Sequence, residues 1–229
     1  MKITLLGHSG FLVEGSTACL VFDYYTDELG LIERLPFGEK PVVFFASHSH
    51  HDHYNKRILK RAGDNVGYVL DAGIAKPQVG NVTMLSKGQS AEVLGIPVAA
   101  FGSTDQGISF LVELEGRKLF HAGDLNDWYW EEESTAEELA HDERWFLDEI
   151  ASLKDSRPDA AFFPVDARLG RHAMRGALRF ARQASPKLLI PMHLCGGEGL
   201  PNDLARVFAA EGISTEVAPI TRPGDSIII

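Results

Sequence analysis

Cysteine is nearly missing from this chain of 229 residues: Cys19 and Cys195 stand alone and far apart, which excludes a disulfide framework and any cysteine-based metal cluster. Reduced thiols are expected. Long apolar runs are missing too, since nothing approaches the roughly 18 residues of a membrane span. The short run Ile3–Leu6 stops at Gly7-His8 without the apolar core or cleavage pattern of a secretory leader. The expectation is a cytoplasmic protein with no membrane partner. Positive charge is also scarce, with 22 Lys and Arg against 32 Asp and Glu and a formal net charge of -10. Nucleic acid is therefore not expected as a partner, because binding a phosphate backbone needs basic surface, and a nuclease reading would have to rest on scattered groups such as Arg168, Arg171 and Arg175. There is no 20–50-residue repeat and no low-complexity linker. A hydrophobic fraction of 45% is enough for a substantial core, so one domain over residues 1–229 is expected, with homo-oligomer formation left open.

Histidine, by contrast, is concentrated. The stretch Ser47-His48-Ser49-His50-His51-Asp52-His53-Tyr54 holds four histidines and one aspartate within six residues. It follows Pro41–Ala46, an apolar, aromatic-rich run that reads as a buried strand, so the cluster is delivered at a strand's C-terminal end, where α/β sheets place their sites. His48 and His50 are two apart and point to one side of an extended backbone, while Asp52 and His53 lie beyond them in the turn and can face a second position. Two metals could be held. Imidazole with carboxylate suits zinc, manganese or iron, and an open coordination position is the catalytic type.

Around the cluster the chain reads as mixed α and β. Ile3–Leu6, Phe11–Glu14 and Ala18–Phe22, separated by Gly-Ser turns, form an opening meander, and Val42–Ala46 follows. Tyr54–Ala62 has apolar residues at helical spacing and Gly63 as a C-cap. Val66–Leu70, Val82–Leu85, Ala91–Val93, Val98–Phe101, Ile108–Leu114 and Lys118–Phe120 read as a second antiparallel meander. Ser134 and Thr135 with Glu137 and Glu138 resemble a capping box ahead of a long helix that buries Ala136, Leu139, Phe146, Ile150 and Leu153. Strands at Ala160–Phe163, Lys187–Pro191, Thr215–Val217 and Ser226–Ile229 then alternate with helices at Met174–Ala184 and Leu200–Ala210. Two further ligand candidates follow short apolar strands: Asp124 in His121-Ala122-Gly123-Asp124, after Lys118–Phe120, and His193 in Met192-His193-Leu194, after Leu188–Pro191.

The spacing H-x-H-x-D-H at His48 to His53, the Gly-Asp at Asp124 and a lone late His193 resemble the metallo-β-lactamase superfamily. In detail, Gly7-His8-Ser9-Gly10-Phe11, Asp23 closing an early strand, His-Ala-Gly-Asp and Ile190-Pro191-Met192-His193 are similar to the metal-dependent hydrolases around the ascorbate-phosphate lactonases. The resemblance implies an α+β fold, a four-layer αββα sandwich of two sheets face to face with helices outside. It also implies one or two divalent transition-metal ions, zinc or manganese with iron as a third candidate. His48 and His50 would hold the first, Asp52, His53 and His193 the second, and Asp124 would bridge them. The implied reaction is hydrolysis of a small-molecule substrate such as a lactone or phosphodiester by a metal-activated water; with a single metal, Asp52 would orient or deprotonate that water.

One departure stands out. The family draws a further first-site histidine from the loop that here reads Phe101-Gly102-Ser103-Thr104-Asp105-Gln106-Gly107, which has none. Ser103, Thr104 or Asp105 would have to replace it, or water would, or the first site is weak. Two imidazoles plus oxygen would favour manganese over zinc there. A degenerate protein of the same fold, binding metal or ligand without turnover, is the alternative. Around the ligands, His8 and His121 read as supports of a ligand or as packed strand-end residues, and Asp23 as a carboxylate holding a histidine's free N–H. Trp128 and Trp130 read as a pocket wall or as anchors of the long helix. Asp166 and Arg168 would sit at the cleft rim, Arg168 suiting a phosphate or carboxylate, and His172 is a candidate general acid.

Overall fold

In the computed structural model, which describes residues 1–154 and 156–229, the apolar runs become strands of two seven-stranded sheets. The first sheet takes β1 (Lys2–Gly7), β2 (Gly10–Glu14), β3 (Cys19–Phe22), β4 (Val42–Ala46), β5 (Val66–Asp71) and β6 (Val82–Leu85) in chain order. The second takes β7 (Ser90–Val93), β8 (Ile96–Phe101), β9 (Ser109–Leu114), β10 (Arg117–His121), β11 (Ala160–Pro164), β12 (Leu188–Met192) and β13 (Glu216–Val217). The C-terminal β14 (Ser226–Ile228) returns to pair antiparallel with β1.

Each sheet is half antiparallel and half parallel. β1 to β3 and β7 to β10 are antiparallel neighbours, whereas β3 to β6 and β10 to β13 run parallel. The parallel strands β3, β4, β11 and β12 are buried along their whole length, as strands covered on both faces must be. Between the sheets, Phe11 and Phe22 pack on Phe162 at ring-centroid distances of 4.5 and 5.7 Å, and Phe45 packs on Phe110 at 5.4 Å. The inner faces thus share one apolar core. Three helices, α1 (Ala136–Ala151), α2 (Arg175–Ala184) and α3 (Leu200–Ala210), contribute Phe146, Ile150, Phe180, Leu204 and Phe208 to the same core. The Thr135–Glu138 capping box at the start of α1 forms as expected, each side chain bonding the other's backbone N–H. The outer face of the first sheet is covered by Ile32, Leu35, Tyr54, Ile58 and Ile74, carried on loops and short 3-10 turns.

Two local expectations are corrected. Tyr54–Ala62 does not form an α-helix: Asn55 caps Arg57 N, and only a 3-10 turn over Lys56–Lys60 follows. An α-helix there would set Lys56 against Lys60 and Arg57 against Arg61, like charges at i and i+4. The second meander is also shorter than its sequence suggests, because Val66–Asp71 and Val82–Leu85 extend the first sheet in parallel. Local alternation identifies a strand but not its neighbour. No helix among the described residues is long and apolar enough to cross a membrane.

Candidate metal centre

The topology brings the C-terminal ends of the parallel strands of both sheets to one edge, and the residues that follow them meet there. Asp23 comes after β3, His48 to His53 after β4, Asp124 after β10, Asp166 after β11 and His193 after β12, with His8 in the turn between β1 and β2. His8, Asp23, His193 and Cys195 all have positive φ, at 52, 40, 58 and 47°. Non-glycine residues held there carry backbone strain, which concentrates where a geometry must be imposed.

Two glycines let the loops close on the cluster. Gly107 has φ +74°, and a Cβ on it would stand 1.9 Å from the Ser47 carbonyl oxygen; Gly123 has φ +54°, with a Cβ falling 2.7 Å from that of Ser47. Replacing Gly107 by alanine is therefore expected to lower stability by about 3 kcal/mol, seen as an earlier urea midpoint with an unchanged slope. A midpoint like that of the parent protein would mean that the loop relaxes freely.

Asp23 is fully buried and organises the first half of the cluster. Its Oδ1 accepts from the Ser47 backbone N–H at 2.8 Å, and its Oδ2 accepts from the Ser47 hydroxyl and from His53 Nδ1, both at 2.7 Å. The Ser47 oxygen lies 3.0 Å from His48 Nδ1. With its proton given to Asp23, it accepts from that ring. Asp166, also fully buried, accepts from His193 Nδ1 at 2.8 Å. The Nδ1 atoms of His48, His53 and His193 are thus all engaged from behind, which orients each ring and leaves Nε2 for a ligand. Those Nε2 atoms converge on the Asp124 carboxylate, at 3.4 Å from Oδ2 for His48 and at 3.2 and 3.8 Å from Oδ1 for His53 and His193.

His53 Nε2 and Asp124 Oδ1 are close but not aligned on each other: both are buried and lack a hydrogen-bond partner, as does His8 Nε2. Orphaned buried polar atoms are costly, and three aimed into one spot fit a cation. Ligand atoms of His8, Asp52, His53 and His193 lie within 4.8 Å of one another, with His8 Nε2 at 3.4 Å from Asp52 Oδ2. Those of His48, His53 and Asp124 form a second such group, and those of His50, Asp105 and Asp124 a third. His48 Nε2 is 3.0 Å from His50 Nδ1, so the last two groups adjoin.

Electrostatics in the metal-free protein follow from this crowding. Burial alone would lower the His53 pKa, but the Asp23 and Asp124 carboxylates outweigh it and raise it to about 10. His193 is likewise raised to about 9 against its burial, chiefly through Asp166. Burial would raise the Asp124 pKa, yet the surrounding imidazoles hold it well below the usual carboxylate range. His8 goes the other way: burial, followed by His193 and His53, lowers it to about 4. Protons on His53 and His193 hold the places in this cluster that a cation would take.

Within the histidine-free loop, the three candidates separate. The Thr104 hydroxyl is committed to Asn126, donating to its carbonyl at 2.6 Å and accepting from its N–H at 2.9 Å. Ser103 is buried and accepts weakly from Asp105 N at 3.4 Å. Asp105 brings a carboxylate oxygen within 4.8 Å of ligand atoms of His50 and Asp124. His121 is a support and not part of the convergent set: its Nε2–H donates to Ser9 O at 2.9 Å and its Nδ1 accepts from Gly123 N at 3.2 Å, which fixes a neutral ring.

Trp128 meets the His193 ring edge-on at 5.7 Å, its indole N–H donating to Asp124 O at 2.9 Å. Arg168 donates from Nε and Nη2 to Asp166, so the carboxylate behind His193 is itself held from the rim. His172 stands apart from the ligands in a neighbouring cleft, 3.1 Å from Glu131 and against the Tyr129 ring. Two participants escaped the sequence reading. Ser47 could have been suspected as a small hydroxyl between the strand and the first histidine. Trp145, on α1, which lines the cleft beside Asp124 and His193, carried no signal at all.

Residues 2–141 match the family model of a beta-lactamase superfamily domain. A UPF0173 metal-dependent hydrolase of Korarchaeum cryptofilum is 25% identical over 238 residues, covering 99% of this chain and 98% of its own length. One from Archaeoglobus fulgidus is 27% identical over 248 residues, with the same coverage of both. Among solved structures, Igni18, a metallo hydrolase from Ignicoccus hospitalis, superposes with a TM-score of 0.69 at 18% identity over 99% of this chain and 97% of that one. The metallo-beta-lactamase fold protein YhfI from Bacillus subtilis gives 0.66 at 15% identity over 99% of each. At these identities the solved structures speak to the fold, and it is the fold that the sequence resemblance implied.

Proposed function

The chain belongs to the beta-lactamase superfamily, and we propose that within it the chain is a metal-dependent hydrolase of small anionic substrates, lactones and phosphodiesters being the first to test. One observation carries this reading: three imidazole Nε2 atoms converge on one buried carboxylate while each ring's Nδ1 is engaged from behind. The named hydrolases among the relatives agree with it. Asp52, His53 and His193 would hold one ion and His48 and His50 the other, with Asp124 shared between them. Asp105 would complete the His48–His50 site, and His8, neutral at pH 7, is available to the Asp52 site. Zinc, manganese and iron are all compatible with such a mixed nitrogen and oxygen set.

When bound, a divalent cation makes a water acidic near neutral pH and polarises the electrophilic centre. With a single ion bound, Asp52, partly exposed and beside His8, would accept a proton from the attacking water. Arg168, tied to Asp166 by Nε and Nη2, keeps Nη1 free of hydrogen bonds among the described residues and would receive the substrate's anionic group. The Trp128 ring closes one side of the cluster and limits water entry beside His193.

The test is metal analysis of the purified protein coupled to a panel of lactones, phosphodiesters and β-lactams under zinc, manganese and iron. One or two bound ions with turnover of at least one class is the expected result. Bound metal without any turnover would leave a binding protein of degenerate site, and no affinity for any of the three ions would overturn the assignment. The same material gives a pH prediction. His53 and His193 are protonated at pH 7 in the metal-free protein, and a ligand imidazole must be neutral, so metal uptake should release protons and tighten as pH rises toward 9 to 10. Calorimetry in buffers of different ionisation enthalpy measures the release; uptake with no proton exchange would place the ion elsewhere.

A further inference from the structure

All three tryptophans of the chain line a single cleft of about 440 Å³ that opens beside Asp124 and His193. They arrive from two elements distant in sequence: Trp128 and Trp130 from the loop after β10, and Trp145 from α1. Trp128 and Trp130 are parallel, with centroids 5.9 Å apart at 1°. Trp128 is locked by its hydrogen bond to Asp124 O, and the Trp145 indole N–H donates to the buried Glu149 at 3.2 Å. The Trp128 and Trp145 rings are therefore held with their polar ends satisfied, and all three rings keep part of their faces bare: Trp128 and Trp130 are half-buried, and Trp145 is 37% exposed.

Anchoring the long helix does not account for them. α1 is fixed to the core by Leu139, Phe146 and Ile150, while Trp145 points away from that core into the cleft. Three large apolar faces left accessible in one place, beside a catalytic-type cluster and in a protein that buries most of its other aromatics, mark a surface that something else covers. The Arg168 guanidinium lies over the Trp130 ring at 5.5 Å. It adds a cation at one end of the aromatic wall, with the Asp124 carboxylate at the other.

We propose that this cleft selects substrates in which a planar aromatic or heteroaromatic ring is attached next to the scissile bond, the ring lying on the tryptophan wall and an anionic group meeting Arg168. The reaction at Asp124 rests on the hydrolase reading; recognition of the ring does not. Indole faces stack on any planar π-system and gain little from an aliphatic ring of the same size, so the wall discriminates flat from puckered rings by contact alone.

Because every tryptophan lies in the cleft, fluorescence excited at the indole red edge reports on it without background. Titrating the zinc-supplemented protein with phenyl phosphate should give a saturable change in emission. Cyclohexyl phosphate, with the same charge and a puckered ring, should bind about tenfold more weakly, the scale of one lost stacking contact. Trp130→Leu should weaken phenyl phosphate by about tenfold and remove the discrimination, whereas Trp130→Phe, which keeps a ring, should preserve it; both are read on material with parent-like far-UV circular dichroism. Equal binding of the two phosphates, or no saturable response to phenyl phosphate, overturns the proposal. Hydrolysis of aryl and cyclohexyl phosphodiesters is measured separately. Turnover without preference for the aryl ester sinks the ring inference and leaves the hydrolase reading standing, while ring-selective binding without turnover of either does the reverse.

Discussion

Asp124→Ala is expected to empty the centre of metal and to slow hydrolysis by on the order of a thousandfold, since the cation supplies several kcal/mol of transition-state stabilisation and each factor of ten in rate is about 1.4 kcal/mol. Among the described residues, no other side chain stands in so many of the contacts. His48, His53 and His193 all direct Nε2 at this carboxylate, and it groups with His50 and Asp105 as well. Removing it leaves the cationic imidazoles with one counter-charge fewer, Asp23 behind His53 and Asp166 behind His193 remaining, so the cluster in the metal-free protein changes too. His53 has a folded pKa raised to about 10 by Asp23 and Asp124. Its contribution to stability is complete below the unfolded value near 6.5 and is lost as pH rises through 10. Without Asp124 that window narrows from the top, and the variant should lose stability with rising pH earlier than the metal-free parent does. Plasma emission analysis and chemical denaturation at pH 7 and 9 check both effects. Retention of the parent's metal content would remove Asp124 from the centre altogether.

Much of this arrangement was legible in the chain, and what was not has identifiable physical causes. The dense stretch His48 to His53 declared itself because ligand-type side chains rarely crowd without purpose, and its strand was visible from the uninterrupted apolar run before it. Asp124 and His193 were ordinary residues by local criteria and gained meaning only through the resemblance. Their convergence depends on β10, β11 and β12 lying parallel, which no local pattern specifies. The same limit misplaced β5 and β6, correctly read as strands but assigned to the wrong sheet. The turn at Lys56–Lys60 failed for another reason: apolar spacing suited a helix while the charges at i and i+4 opposed it. Asp166 was legible as a rim residue, yet its partner His193 is 27 positions further on, so its service behind a histidine could not be read. Trp145 was invisible because its position on α1 reads as the solvent face, and only the packing of α1 beside the loop after β10 turns that face toward the cleft.

Asp105→Ala tests whether the loop without a histidine still builds a complete first site, and it is expected to cost one bound ion per chain. Thr104 is occupied on both sides by Asn126, and Ser103 offers a neutral hydroxyl that already accepts from Asp105 N. Only Asp105 brings a free carboxylate within reach of His50 and Asp124. Losing even a supporting partner of a metal site weakens binding by about 10- to 100-fold, and losing a ligand should exceed that, leaving the site held by His48, His50 and one shared carboxylate. An ion held as proposed by Asp52, His53 and His193 should survive, so stoichiometry would fall without reaching zero. Asp105→His supplies the converse. An imidazole in place of a carboxylate keeps the ligand count while softening the donor set, which should restore the second ion and shift preference from manganese toward zinc. Competition between the two ions, followed by metal analysis after desalting, separates the cases. If Asp105→Ala keeps the parent's full complement, Asp105 is a bystander on an exposed loop, and the first site is closed by solvent or not at all.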